Sequence, residues 1–174
     1  HLEITEADKR FLIGRELTRG LGCGGFPNKG EKAAQENIQE IKDVLKGADM
    51  VFVCAGMGGG TGTGSAPVVA RVAKEAGALT VAIVTRPFAF EGTRRMVAAE
   101  DGIEGLRDKV DALIVIPNQR LMDVIDRKMT LVEAFKLADS VLAHGVQGIS
   151  EIITIPGLIN VDFADVKSIM TNAG

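Results

Sequence analysis

Thiols and imidazoles are scarce in this chain: two cysteines, Cys23 and Cys54, and two histidines, His1 and His144, among 174 residues. Neither cysteine belongs to a CxxC and the histidines are isolated, which argues against a zinc site. Two cysteines are also too few for a small disulfide scaffold. Free thiols suit a reducing compartment. Long apolar runs are missing as well: stretches such as AGALTVAIV fall far short of the roughly 20 residues that span a bilayer. No basic-then-apolar leader opens the sequence. The expectation is a cytoplasmic protein without direct membrane insertion. Positive charge is not in excess either. Twenty Lys and Arg stand against 23 Asp and Glu, for a net charge of −3 and a pI near 5.5. The basic residues are scattered rather than striped, so nucleic acid is not an expected partner. There is no internal repeat, linker or low-complexity segment.

What is present is alternation. With 46% apolar and 25% charged residues a core can form. FLIG (11–14) reads as a short strand and 15–28 as a glycine-rich loop. Residues 29–47 carry apolar side chains at helical spacing. DMVFVCA (49–55), LTVAIVT (79–85) and DALIVIP (111–117) read as strands buried on both faces. Helical stretches follow them at 65–77, 92–110 and 118–126. The long stretch 130–154 is apolar nearly all round, as for a helix buried between two bodies. Strand, loop and helix in repetition predict an α/β fold: a parallel, Rossmann-like, three-layer sheet with ligands beyond the carboxyl ends of the strands.

At one such end stands GMGGGTGTGS (56–65), six glycines in ten residues. Glycine admits left-handed backbone and close ligand approach. Successive N–H groups can form an anion nest, and the next helix adds its positive N-terminus. Thr61 and Thr63 can add hydroxyls. The loop therefore reads as a phosphate cradle rather than a flexible turn. It is not a P-loop, because no lysine precedes Ser65. A GxGxxG pattern does occur at Gly20–Gly25, without a clear strand before it or a suitably placed acidic residue after it. That segment reads as a second loop on the same anion.

Other candidates are ambiguous by spacing alone. Phe135 and Asp139 lie i, i+4 on one helix face. A ring there can stack on a base, and a carboxylate can accept from N1–H and the amino group of guanine. The plainer alternative is a core ring and a solvated charge. Glu91 and Arg95 suit ribose and phosphate, or simply the charged first turn of a surface helix. Asp162 and Asp165 suit water activation, or helix capping.

The segments GGGTGTGSAP, LTRGLGCGG, VTRPFAFEGTRR, IPNQRL, EAFKLAD and GLINVDFADVK together resemble the tubulin/FtsZ GTPase family, in that family's order and over essentially the whole chain. The resemblance implies that Gly58, Gly59, Gly60, Thr61, Gly62, Thr63 and Gly64 hold the phosphates of GTP or GDP, and that Gly24 and Gly25 line the γ-phosphate side. It implies that Thr85 and Pro87 border the sugar, that Glu91 and Arg95 bind ribose and neighbouring groups, and that Asn118 lies nearby. Phe135 would stack on guanine and Asp139 would read its edge. Mg²⁺ would be held mainly by phosphates and water.

The same resemblance implies a head-to-tail homopolymer in which Asn160, Asp162 and Asp165 of one subunit act on the γ-phosphate held by the next. The filament would form the cytokinetic ring, in the cytoplasm at the division site. The chain would divide into a GTP-binding domain (1–129), a long central helix (130–154) and a catalytic loop with the start of another helix (155–174). The family's first strands, first phosphate loop and C-terminal domain are not matched. The expectation is an internal fragment that alone binds GTP poorly and does not polymerise. Membrane-tethering and regulatory division proteins would dock on regions outside it. The competing readings are a dinucleotide-dependent oxidoreductase using Gly20–Gly25, and a non-catalytic tubulin-like filament protein.

Overall fold

The computed structural model describes residues 13–19, 21–123 and 128–153. Three parallel strands, β1 (Met50–Gly56), β2 (Leu79–Arg86) and β3 (Ala112–Pro117), form a sheet in the order β1-β2-β3. Val53 lies opposite Ala82, and Ile83 opposite Ile114. Strands that step in one direction place their crossover helices on one face. These helices are α4 (Thr61–Glu75) and α5 (Thr93–Arg107). Ala66, Ala70 and Ala73 of α4 pack with Ala99, Ile103 and Leu106 of α5 against Val53, Ala82 and Val84. The small side chains on α4 let its backbone approach the sheet closely. On the opposite face α6 (Leu131–Ile153) lays Leu142, Val146 and Ile149 over Leu79, Val81 and Ile83. The result is the expected three-layer α/β arrangement.

A one-turn helix α1 (Arg15–Thr18), then α2 (Pro27–Glu36) and α3 (Ile38–Leu45), form an outer row. Ala34 and Ile41 of this row pack on Val68 and Val72 of α4. Each fully buried Val, Leu or Ile in such a core contributes about 1.5–3 kcal/mol.

Several expectations are corrected. Ile13 and Gly14, the described part of the FLIG segment, belong to no strand, and the 15–28 loop contains α1 and the start of α2. The single helix expected over 29–47 breaks at Asn37, which has φ −110° and ψ 26°. Its side chain accepts from the Gly14 N–H at 2.7 Å and donates to Glu40 Oε1 at 3.0 Å. Such side-chain bonds stabilise an interruption that the periodic pattern does not show. Only β2 is buried on both faces; β3 is half-buried throughout, and β1 is exposed at Cys54. The long helix is not buried all round: Leu131, Val132 and Phe135 are exposed while Ala134 and Ala138 are buried. One face meets the sheet, and its apolar circumference exceeds what that face can cover.

At the amino ends of the strands the buried Asp111 carboxylate accepts from the Thr80 N–H at 2.8 Å. The Asp111 N–H donates to the Thr80 carbonyl at 2.8 Å. This reciprocal pair fixes where β3 joins β2, and thereby where its carboxyl end emerges.

Candidate functional site

The carboxyl ends of all three strands open on one edge of the sheet, as parallel strands require. Gly56 ends β1, Arg86 ends β2 and Pro117 ends β3. From Gly56 the chain turns back through Met57–Gly60 into α4, and the Met57 N–H donates to the Thr85 carbonyl at 3.0 Å. Gly58 has φ +112°, a conformation that side chains resist, and a Cβ there would lie 2.9 Å from the Arg95 carbonyl oxygen. The expected helix start at Ser65 moves forward to Thr61, so Gly62 and Gly64 are helical. Their glycines serve packing: a Cβ at Gly62 would lie 3.0 Å from the Gly56 carbonyl oxygen, and one at Gly64 would lie 2.6 Å from the Glu31 nitrogen.

Gly59 is different, since a Cβ there would meet nothing within 4 Å. The loop is therefore open at Gly59 and closely packed around it. The first turn of α4 carries no acidic residue to compete for an anion, so its unpaired N–H groups and positive dipole end remain available. Thr61, the first helical residue, is exposed. Thr63 is buried, and its Oγ1 accepts the Gly58 N–H at 2.8 Å. Its hydroxyl oxygen braces the loop from within instead of standing beside that of Thr61.

The second glycine-rich segment does meet the first. Gly22, Gly24 and Gly25 adopt φ of +78°, +59° and +79°, and the Phe26 N–H closes a turn on the Cys23 carbonyl at 3.0 Å. Cys23 is buried, and the Thr61 hydroxyl donates to its sulfur at 3.6 Å. Gly24 is exposed and Gly25 half-buried; Gly20 lies outside the described residues.

Thr85 and Pro87 are buried at the end of β2, next to the loop. A 3₁₀ turn, Ala89–Glu91, follows. Glu91 accepts from the Phe88 N–H at 2.7 Å and pairs with Arg95 at 3.3 Å. Its carboxylate thus closes the turn and aligns the start of α5. The Ala89 N–H reaches Gln119 Oε1 at 2.9 Å, which ties this turn to the 3₁₀ segment Asn118–Asp123 after β3. Asn118 is buried, and its Oδ1 has no hydrogen-bond partner among the described residues. A buried acceptor left in this state costs about 1–3 kcal/mol, which a ligand donor would recover.

Phe135 stands on α6 beside this turn, edge-on to Phe88 at 6.0 Å and to Phe90 at 6.1 Å; those two rings stack at 4.8 Å. The cluster holds the ring from one side while 39% of the residue stays exposed. Asp139, one turn on, is exposed and lines a cleft with Cys54 and Leu142. The fold thus gathers residues from two glycine loops, two strand ends and one helix along one edge. Asn160, Asp162 and Asp165 lie outside the described residues.

A family model for the tubulin/FtsZ family, GTPase domain, matches residues 1–126. The chain belongs to the tubulin/FtsZ family. Among solved structures it is similar to an empty FtsZ dimer from M. jannaschii, at 56% identity and a TM-score of 0.90, covering 98% of this chain and 50% of that one. A point mutant of the same FtsZ matches at 56% identity and a TM-score of 0.91, over 99% of this chain and 52% of that one. CetZ from Methanosaeta thermophila shares the fold at 24% identity and a TM-score of 0.74, over 87% of this chain and 43% of its own. This chain spans about half the length of the FtsZ structures it matches.

Cys23, Gln119 and the buried role of Thr63 are not visible in the sequence pattern. Each depends on a partner at least five residues away in the chain, and spacing carries no trace of that contact.

Proposed function

We propose that this chain is the nucleotide-binding part of an FtsZ-type, tubulin-like GTPase. The observation that carries the reading is the anion seat at Gly59–Thr61, joined along the same edge by the unpartnered Asn118 Oδ1 and the open face of Phe135. GTP phosphates lie on the backbone amides of Gly59 and Gly60 and the first turn of α4, with Gly24 and Gly25 on the γ-phosphate side; the Gly58 N–H is taken up by Thr63. Asn118 accepts from a nucleoside donor, Phe135 stacks on guanine, and Asp139 accepts from N1–H and the amino group. Glu91 and Arg95 serve the ribose side. No carboxylate occupies the first turn of α4, so Mg²⁺ fits as an ion carried by phosphate oxygens and water.

Hydrolysis takes place between subunits that join head to tail, with Asn160, Asp162 and Asp165 of one subunit orienting water on the nucleotide of the next. Catalysis is then positioning and electrostatics, as in phosphoryl transfer generally. Such an interface is heterologous and does not close, so it builds a filament. That filament serves the cytokinetic ring in the cytoplasm at the division site. Membrane-tethering and regulatory division proteins would bind the parent protein outside these residues.

Calorimetric titration of the full-length protein tests this reading. GTP is expected to bind at micromolar concentration or tighter, with ATP and NAD much weaker. Asp139→Asn should weaken GTP by about 10–100-fold, since a hydrogen bond to a charged group contributes about 1.5–3 kcal/mol. NAD binding with indifference to GTP would favour the oxidoreductase reading instead.

A further inference from the structure

The 21–26 loop reaches the phosphate loop through one side chain. Cys23 is buried. Its sulfur lies 3.6 Å from Thr61 Oγ1, and its Cβ lies 2.7 Å from where a Cβ on Gly60 would stand. Gly60 is thus the residue type that lets Cys23 in, and Thr61 is the residue that holds it. On its other side Cys23 is set by the turn to Phe26, whose backbone nitrogen and oxygen crowd the same Gly60 position at 2.8 and 3.1 Å. The Phe26 ring in turn lies 4.8 Å beneath the Arg94 guanidinium of α5. The loop between these anchors is rich in left-handed glycines and has little side chain with which to hold itself.

Sulfur is a weak acceptor, so the bond itself is modest. Its position matters more: Thr61 is the residue at which the helix dipole and the glycine loop converge. We infer that Cys23 is a positioning residue for nucleotide binding, fixing the 21–26 loop against the first turn of α4 through the Thr61 hydroxyl. The inference rests on the nucleotide-binding reading above. The Cys23 side chain acts through Thr61. It sets the separation of the two glycine loops, and it holds the Thr61 hydroxyl until a phosphate competes for that hydrogen bond.

A double-mutant cycle in the full-length protein tests this, with GTP affinity as the readout. Cys23→Ala is expected to weaken GTP about fivefold, and Cys23→Ser, which keeps an acceptor of similar size, to recover most of that loss. In a Thr61→Val background Cys23→Ala is expected to cost less than twofold further, because the partner through which it acts is gone. A purely structural role predicts additive losses and no rescue by serine, and either result overturns the inference. Alkylation provides a measurement on unaltered Cys23. In Cys54→Ser protein, saturating GTP should slow modification of Cys23 at least tenfold, and a rate indifferent to bound GTP also overturns it. Absence of GTP binding by the wild-type protein removes the nucleotide reading itself. Binding with additive, unrescued variants removes only the role of Cys23.

Discussion

A methyl group on Gly60 would meet Cys23 Cβ at 2.7 Å and the Phe26 nitrogen at 2.8 Å, whereas one on Gly59 would meet nothing within 4 Å. Adjacent glycines therefore do different work. Gly60→Ala should lower stability by about 1–3 kcal/mol, the usual cost of overpacking, read as a lower urea midpoint. Gly59→Ala should leave that midpoint unchanged and weaken GTP, because the new methyl stands where the ligand approaches. Equal effects of the two on stability would contradict this division. The two thiols divide in the same way. Cys54 keeps an open side, yet burial pushes its thiol up from the ordinary cysteine value. A raised pKa means less thiolate at a given pH. Alkylation of Cys54 should therefore trail that of a free cysteine at pH 8 and close the gap as pH rises further, measured as rate against pH.

At the scale of elements, the site depends on where the strands end, and the far end of the sheet controls that. The reciprocal Asp111–Thr80 bonds set β3 beside β2, and Lys74 of α4 lies 3.9 Å from the same carboxylate. Asp111→Ala leaves the Thr80 N–H buried and unpaired. It should cost about 1.5–3 kcal/mol in chemical denaturation, although it lies at the opposite end of the strands from the glycine-rich loop. A change below 0.5 kcal/mol would mean that another group satisfies Thr80. Packing on the α4–α5 side is similarly specific. Gly102 weakens α5 as a helix, but it makes room for the Thr63 side chain and the Met57 methyl. A residue unfavourable to its own element thus braces the glycine-rich loop through its neighbour.

For the whole molecule the proposed function divides the site between copies. The described edge brings together an open glycine loop, a half-exposed aromatic ring and the exposed Asp139, and the acid nearest the end of β2, Glu91, is engaged with Phe88 and Arg95. The proposed mechanism draws its acids from the neighbouring subunit instead. In the full-length protein Asp162→Ala should leave GTP affinity unchanged and reduce assembly-dependent hydrolysis to background, followed as phosphate release against protein concentration. Persistent hydrolysis would remove Asp162 from the mechanism.

Local pattern was enough to establish the parallel α/β class, because β2 shows its burial as a continuous apolar run and the helices show theirs in their periodicity. It also marked the glycine-rich stretch 56–65 as a candidate phosphate cradle, because six glycines in ten residues have few other uses. The resemblance of several motifs in order supplied the family. Spacing could not divide the glycines into those that pack, such as Gly60, Gly62 and Gly64, and the one that is open, Gly59, since that depends on which backbone lies opposite. Nor could it place Thr63 inside the loop, break the second helix at Asn37 or leave one side of α6 bare. Those outcomes were decided by contacts between segments far apart in the chain. The physical reason is that periodicity records which face of an element is apolar, while tertiary packing alone determines what that face meets.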